Sequence, residues 1–418
     1  MTSIRLAWAL AAIVPLAACT TAPHTASAPA TPTASVSATA PRVLLVSIDG
    51  LRADALDRGI TPNLQRIIDG GARARWMAPS YPSLTFPNHY TIVTGLRPDH
   101  HGVIHNSMQS ERLGKFTLSD RAAVTNTAWW GGEPIWVTAE NAGVRTATWS
   151  WPGSEAPIKG VQPSQWKHYD QTVPFEQRVD TVLGWLARED AEAPRLATLY
   201  MEHVDKAGHT YGPESRQYTD AIRRADEVIG KVLDGLQARG LDQDTNIIVV
   251  SDHGMASVRP GQAVAVESMV DPALARSISI GQSVGFAPVA GHEQAAERAL
   301  LGRHDHYECW RKSELPARWH YGSHPRIPAI ICQMDEGWDA LTRAAIAKRR
   351  HQERGSHGYD PALPSMRAVF IASGPSFKQG VTLPGFDNVD VYPLLAHLLQ
   401  VPPAANDGNP ATLRPALR

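Results

Sequence analysis

Thr85 lies in "YPSLTFPNHYTIVTG" (81–95), where Pro82 and Pro87 stiffen what reads as a loop running into a helix. A threonine hydroxyl is a weak nucleophile until a base or a metal lowers its pKa, and no base stands beside it in the chain. Three aspartates follow apolar runs: Asp49 after "VLLVSI", Asp205 after "LATLYMEHV", and Asp252, with His253, after "NIIVVS". Any one of them alone reads as a turn or cap residue. Three together, accompanied by histidines, bring metal-ligand types to one edge. Asp205 and His209 are spaced i, i+4, so one helical turn aims both at a single ion. His357, in "GSHGYD", completes a three-ligand set with an open position, as in catalytic zinc sites. Asp49, Asp252 and His253 form a second set, with Thr85 as its fourth ligand. Two Zn²⁺ about 4 Å apart clamp both oxygens of an in-line displacement, and coordination lowers the Thr85 pKa.

Charge favours one substrate class. Two Zn²⁺ are balanced by three aspartates and a threonine alkoxide, which leaves little positive surplus for a dianionic phosphate monoester. No arginine accompanies the Thr85 stretch, the nearest in sequence being Arg75 and Arg97. A monoanionic phosphodiester fits such a site better.

The elements that must position these groups are legible as apolar runs. "PRVLLVSIDG" (41–50), "RLATLYME" (195–202), "TNIIVVSDHG" (245–254) and "RAVFIASG" (367–374) read as parallel strands buried on both faces. Between strands lie helical patterns. The clearest spans 213–238, with Pro213 expected in its first turn, Gly240 after its end, and Tyr218, Ile222, Ala225, Ile229, Val232 and Leu236 on one stripe. Alternation of this kind predicts a doubly wound α/β fold, its mostly parallel sheet covered by helices on both faces and its ligands at the carboxyl ends of the strands. Residues 256–350 break the rhythm and read as an inserted cap. "FDNVDVYPLLAHLLQVPP" reads as a last helix stopped by Pro402 and Pro403.

The chain has 418 residues, 40 Lys+Arg against 41 Asp+Glu, and 17 histidines. A near-neutral balance gives no basic face for a nucleic-acid duplex. Arg5 and "LAWALAAIVPLAAC" form a leader too short to span a membrane, so 1–18 is expected to be a signal peptide. Leu16-Ala17-Ala18-Cys19 resembles a lipobox, which would lipidate Cys19 and anchor the chain; cleavage after Ala28 is the alternative. A Thr/Ala/Pro-rich tether over 19–41 follows. These features imply export to the periplasm or cell envelope. Cys309 and Cys332 are then an even pair in an oxidising compartment and are expected to form a disulfide.

Taken in order, "VSIDGLRADAL", "YPSLTFPNHYTIVTGLRPDHHGVIHNSM", "DKAGHTYGPES", "VVSDHGM" and "GSHGYDP" resemble the nucleotide pyrophosphatase/phosphodiesterase family of the alkaline phosphatase superfamily, its bacterial members in particular. The resemblance spans 42–405, expected as the catalytic domain, with 406–418 as a tail. It implies that Asp205, His209 and His357 bind one zinc and that Asp49, Thr85, Asp252 and His253 bind the other. Nucleoside 5'-monophosphates would leave through a covalent phospho-threonine at Thr85. It further implies that Asn106 hydrogen-bonds a phosphate oxygen, and that Phe86 and Tyr200 sandwich a nucleobase in a pocket that Leu118 and Tyr169 also line. His100, His101 and His105 are expected to be structural, as are His304, His306, His320 and His324. A sulfatase would need Cys or Ser with a nearby arginine in place of Thr85. A phosphonoacetate hydrolase or a lipid-headgroup phosphodiesterase shares the two-zinc chemistry. A non-catalytic envelope lipoprotein would be expected to lack a ligand or the nucleophile.

Overall fold

The computed structural model describes residues 41–349 and 351–418; the expected leader, Cys19 and all but the last residue of the tether lie outside the described residues. An eight-stranded sheet comprises β1 (Arg42–Ile48), β2 (Gly71–Ala74), β3 (Thr146–Trp149), β4 (Gln165–Lys167), β5 (Leu196–Met201), β6 (Thr245–Val250), β7 (Phe370–Ser373) and β8 (Val381–Leu383). Its order is β8-β2-β7-β6-β1-β5-β3-β4.

The continuous apolar runs have a direct cause. Val43 and Leu45 of β1 enter the core on one face, while Leu44, Val46 and Ile48 enter the core on the other. Strand side chains alternate between faces, so a strand covered on both must be apolar throughout. Helices Phe175–Leu186 and Arg216–Ala238 cover one face through Val182, Ile222 and Ile229. Helices Thr85–Thr94, Ile135–Asn141 and Val391–Leu399 cover the other through Tyr90, Trp136 and Leu395.

β6, β1 and β5 are parallel neighbours, with Ser47 opposite both Val250 and Tyr200. Their carboxyl ends therefore emerge side by side. Asp49 follows β1 directly and donates its N–H to the Met201 carbonyl at 3.0 Å. The turn beyond it requires Gly50: its φ is +68°, and a Cβ there would lie 3.0 Å from the Cα of Asp205.

Three expectations need correction. β7 runs antiparallel to both β6 and β2. The chain returns to the sheet from the carboxyl edge, after His357, and a both-face-buried pattern reports coverage, not direction. The long helix begins at Arg216, not in the turn of Pro213, because the Ser215 hydroxyl accepts the orphan N–H of Tyr218 at 3.0 Å. Residues 406–418 are no loose tail: Leu413 and Ala416 are buried, and Leu417 bridges to Phe377.

The inserted segment has its own antiparallel sheet of five strands, between Ala275 and Met334, around Val284, Phe286 and Ile330. Cys309 and Cys332 face each other on adjacent strands and are bonded. Strand Arg354–Ser356 pairs with Ala256–Val258, so the segment leaves and re-enters the main body at one place, directly before His357.

Candidate active site

Thr85 opens the helix Thr85–Thr94, where unsatisfied backbone N–H groups and the helix dipole favour an anion. Its hydroxyl lies 3.3 Å from His253 Nε2. Asp205 and His209 project from the helix His203–Tyr211. Within the first expected ligand set, Asp205 Oδ1 lies 3.4 Å from His209 Nε2 and 3.5 Å from His357 Nε2, and the two Nε2 atoms are 3.0 Å apart. Within the second, His253 Nε2 is 3.0 Å from Asp252 Oδ2 and 3.5 Å from Asp49 Oδ1. Ligands at zinc-like distances from one tetrahedral ion are separated by about 3.3 Å. The His253 and His357 rings stack with centroids 3.5 Å apart, so the two sets share a wall.

Hydrogen bonding makes the case for a cation without reference to spacing. His209 Nδ1 faces the Gly355 carbonyl at 3.0 Å, His357 Nδ1 the Ser83 carbonyl at 2.9 Å, and His253 Nδ1 the Gly254 carbonyl at 2.8 Å. A carbonyl only accepts, so each Nδ1 carries a proton and each Nε2 is turned into the cluster, where positive charge is favoured: although burial lowers His253, Asp252 beside it outweighs that and raises it above the ordinary histidine value. Two Nε2 lone pairs 3.0 Å apart repel unless positive charge sits with them. Burial and the neighbouring His253 and His209 hold His357 well below the ordinary histidine value, which disfavours a proton there. Asp49 Oδ1, Asp205 Oδ1 and Asp252 Oδ2 are buried without a hydrogen-bond partner, and all three face these nitrogens. Burial, then Asp252 and Asp205, push Asp49 well above the usual carboxylate range. Such a centre fits divalent cations and is costly without them. Gly355 is required at its place: a Cβ there would sit 2.5 Å from the Gly208 carbonyl oxygen, and would hold the strand away from His209.

Residues 43–360 match the Type I phosphodiesterase / nucleotide pyrophosphatase family. The chain belongs to that family. It is 37% identical over 394 residues to ectonucleotide pyrophosphatase/phosphodiesterase family member 3 of Bos taurus, covering 90% of this chain and 44% of the bovine one. An uncharacterized pyrophosphatase/phosphodiesterase of Schizosaccharomyces pombe is 36% identical over 379 residues, covering 88% of this chain and 78% of its own length. Inactive murine ectonucleotide pyrophosphatase/phosphodiesterase 5, a threonine-to-alanine variant in complex with AMP, superposes with a TM-score of 0.85 at 31% identity, over 90% of this chain and all of that one. The fold of this phosphodiesterase-family chain is accordingly alkaline phosphatase-like.

A cavity of about 500 Å³ opens beside Thr85 and Asp49, walled by Phe86, Leu118, Tyr169 and Tyr200. The structure thus brings the expected pocket residues together, although they differ in what they offer. Tyr169 is 44% exposed and presents a ring face, whereas Tyr200 is 8% exposed. The Tyr200 hydroxyl donates to Asp49 Oδ2 at 2.5 Å, and burial together with Asp49 raises its pKa well above the ordinary value, so it stays a donor. Tyr200 therefore orients the Asp49 carboxylate, and Tyr169 presents the more accessible ring face in the cavity that Phe86 also lines. Asn106 Oδ1 accepts the Phe86 N–H at 2.9 Å, which fixes the amide and leaves its NH₂ as a donor beside the helix start.

His89 is the residue that sequence reading missed. It lies close enough to Asp49 and Asp252 to share an ion with them. Its Nδ1, however, is 3.0 Å from the Thr85 carbonyl and so carries a proton that is spent on that carbonyl, while Asp252 Oδ2 lies 3.2 Å away without accepting it. Its Nε2 meets the Ser47 hydroxyl at 2.8 Å, so the ring ties the first turn of the Thr85 helix to β1. Its i+4 spacing from Thr85 was the available signal.

His101 and His105 are structural and neutral. In each, Nδ1 accepts a backbone N–H (Val103, Ser107), while Nε2–H donates to the Thr91 hydroxyl or the Ser283 carbonyl. Burial lowers His101 to about 3 and His105 to about 4. The unfolded chain binds protons near pH 6.5 that the folded chain refuses, so their stabilisation is complete above about pH 6.5 and is lost as pH falls towards 4 and 3. Thermal unfolding of His101→Gln and His105→Gln should show a shallower loss of Tm between pH 7 and 5 than wild type. An unchanged slope in both would remove these histidines as its cause. His100 is exposed and pairs with Asp407 at 2.7 Å. His304 Nε2 meets the Leu300 carbonyl and the His306 ring stacks on Trp338.

Proposed function

We propose that this chain is a two-zinc hydrolase that cleaves nucleotide phosphodiester and pyrophosphate bonds and releases nucleoside 5'-monophosphates. The observation that carries the reading is the convergence of imidazole Nε2 lone pairs and unpartnered carboxylate oxygens on the Thr85 hydroxyl, at the mouth of an aromatic cavity. Asp205, His209 and His357 would hold one Zn²⁺, and Asp49, Thr85, Asp252 and His253 the other. Bound zinc would supply Lewis acidity and a depressed hydroxyl pKa. Thr85 Oγ1 then bonds to the α-phosphorus while the bond to the leaving oxygen breaks and its electron pair departs with that group. Water would then add to the same phosphorus as the P–Oγ1 bond breaks, releasing the nucleoside 5'-monophosphate and returning to Thr85 the proton its hydroxyl gave up in the first step. The Asn106 NH₂ faces the phosphoryl oxygen where charge develops. AMP in the murine relative supports a nucleotide substrate, and a relative inactive as a threonine-to-alanine variant supports a threonine nucleophile.

The test compares turnover of the p-nitrophenyl ester of thymidine 5'-monophosphate with that of p-nitrophenyl phosphate, before and after chelation and zinc return. Preference for the diester, abolished by chelator and restored by zinc, is expected. A preference for the monoester, or indifference to chelation, would sink the reading. We further propose a bacterial, exported protein anchored through lipidated Cys19, which metabolic labelling with a fatty-acid probe in wild type and Cys19→Ala would test.

Phe86→Ala tests the nucleotide pocket. Stacking on an aromatic contributes about 1–3 kcal/mol per base, so kcat/KM for nucleotide esters should fall roughly ten- to a hundredfold. A small diester without a base makes no such contact and should lose much less. Equal losses on both substrates at full zinc content would show that Phe86 only braces the Thr85 helix.

A further inference from the structure

A second chamber adjoins the ligand cluster. It has a volume of about 440 Å³ and shares Leu118, Ser119 and His209 with the aromatic cavity, and it also reaches His357 and Asn106. Arg349 and Arg354 stand in its wall. Both guanidinium groups meet one carboxylate oxygen, Oδ2 of Asp339, whose side chain is fully buried. The other oxygen of Asp339 accepts from Gln282. Two permanent cations thus share a single anion. Each arginine spends one of its nitrogens on that contact, and its other N–H groups have no protein acceptor among the described residues. Arg354 lies three residues before His357 on the strand that pairs with Ala256–Val258, so the surplus charge is tied by backbone to the ligand cluster.

The cluster itself, once loaded with two divalent ions, is close to neutral and has little attraction for a polyanionic tail. The arginine wall does. We infer that this chamber is the leaving-group subsite and takes a phosphorylated leaving group, inorganic pyrophosphate from a nucleoside triphosphate being the simplest case. The inference rests on the phosphodiesterase reading above. When the bond from the α-phosphorus to the bridging oxygen breaks, the electron pair stays on the pyrophosphate, and the arginines face the anion that gains it. The nucleoside half occupies the aromatic cavity, and the two halves meet where the chambers share His209. A leaving group without phosphate, such as p-nitrophenolate, draws far less on this wall.

The test uses zinc-loaded Arg349→Gln, Arg349→Lys and Arg354→Gln, each checked for zinc content and Tm. Arg349 is the milder site, because Arg354 and Gln282 still hold Asp339 when it changes. The quantity read is the ratio of kcat/KM for ATP to kcat/KM for the p-nitrophenyl ester of thymidine 5'-monophosphate. Charge-assisted hydrogen bonds of this kind correspond to about a tenfold fall in the ratio for Arg349→Gln, with Arg349→Lys recovering part of it. Inorganic pyrophosphate should protect wild type against thermal unfolding at concentrations about tenfold lower than it does Arg349→Gln. A ratio within twofold of wild type in both glutamine variants, or an unchanged pyrophosphate protection, overturns the subsite. Wild-type turnover of neither substrate overturns the phosphodiesterase reading instead, and the subsite with it.

Discussion

Thr85→Ala should lose at least about a thousandfold in turnover of nucleotide diesters while keeping most of its zinc, because a covalent step disappears from the path. The ligands of the first set do not involve Thr85, and Asp49, Asp252 and His253 still face one another in the second. Asp49 remains held by the Tyr200 hydroxyl and Asp252 by the Gly50 N–H at 3.2 Å, so the cluster keeps its shape. Removal of the hydroxyl takes away one contact of 3.3 Å to His253 and nothing that supports the fold. Thr85→Ser keeps an oxygen at the same helix start and should retain far more activity than the alanine variant. Rapid acid quench of wild type with substrate, followed by peptide mass analysis, should show phosphate on the peptide that contains Thr85, and none in the alanine variant. Alanine activity within about tenfold of wild type would remove Thr85 from the nucleophile's place.

What the sequence disclosed of this site follows from how strands present their ends. Asp49 and Asp252 stand directly after apolar runs whose burial on both faces requires a covered sheet, and β1 and β6 are in fact parallel neighbours. Asp205 and His209 were readable because helical spacing is local. The groups that support the ligands were not. The carbonyls of Ser83, Gly254 and Gly355, which fix the histidine tautomers, belong to backbone whose direction no side-chain pattern reveals. The stacking role expected of Tyr200 comes from the family resemblance alone; its hydrogen bond to Asp49 depends on a sheet register between β1 and β5 that no local pattern reveals. The joint contact of Arg349 and Arg354 on Asp339 joins residues ten and fifteen positions apart through an inserted segment without strong periodicity. The antiparallel entry of β7 escaped for a similar reason: direction is set by where a connection emerges.

His357→Gln should divide activity from stability in opposite directions. The variant loses one ligand of a three-ligand set, so zinc stoichiometry should fall from near two towards one, and diester turnover should drop by at least about a hundredfold. Glutamine preserves much of the volume beside His253, and its amide can still donate to the Ser83 carbonyl. Once chelation removes the ions, the Nε2 lone pairs of His209 and His357, 3.0 Å apart, and three buried carboxylate oxygens without hydrogen-bond partners are left to repel one another. That repulsion is part of the cost of the apo fold, and the substitution relieves it, since an amide can place a donor where a lone pair stood. Metal binding to the native state alone stabilises by mass action, so chelation must lower the wild-type Tm. The fall on chelation should be clearly smaller in His357→Gln than in wild type, even though the variant is the poorer enzyme. Melting curves with and without a chelator, read beside zinc content, decide it. If chelation lowers both proteins equally, or the variant keeps two zinc ions and its activity, His357 is not a ligand and the cluster's repulsion has another remedy.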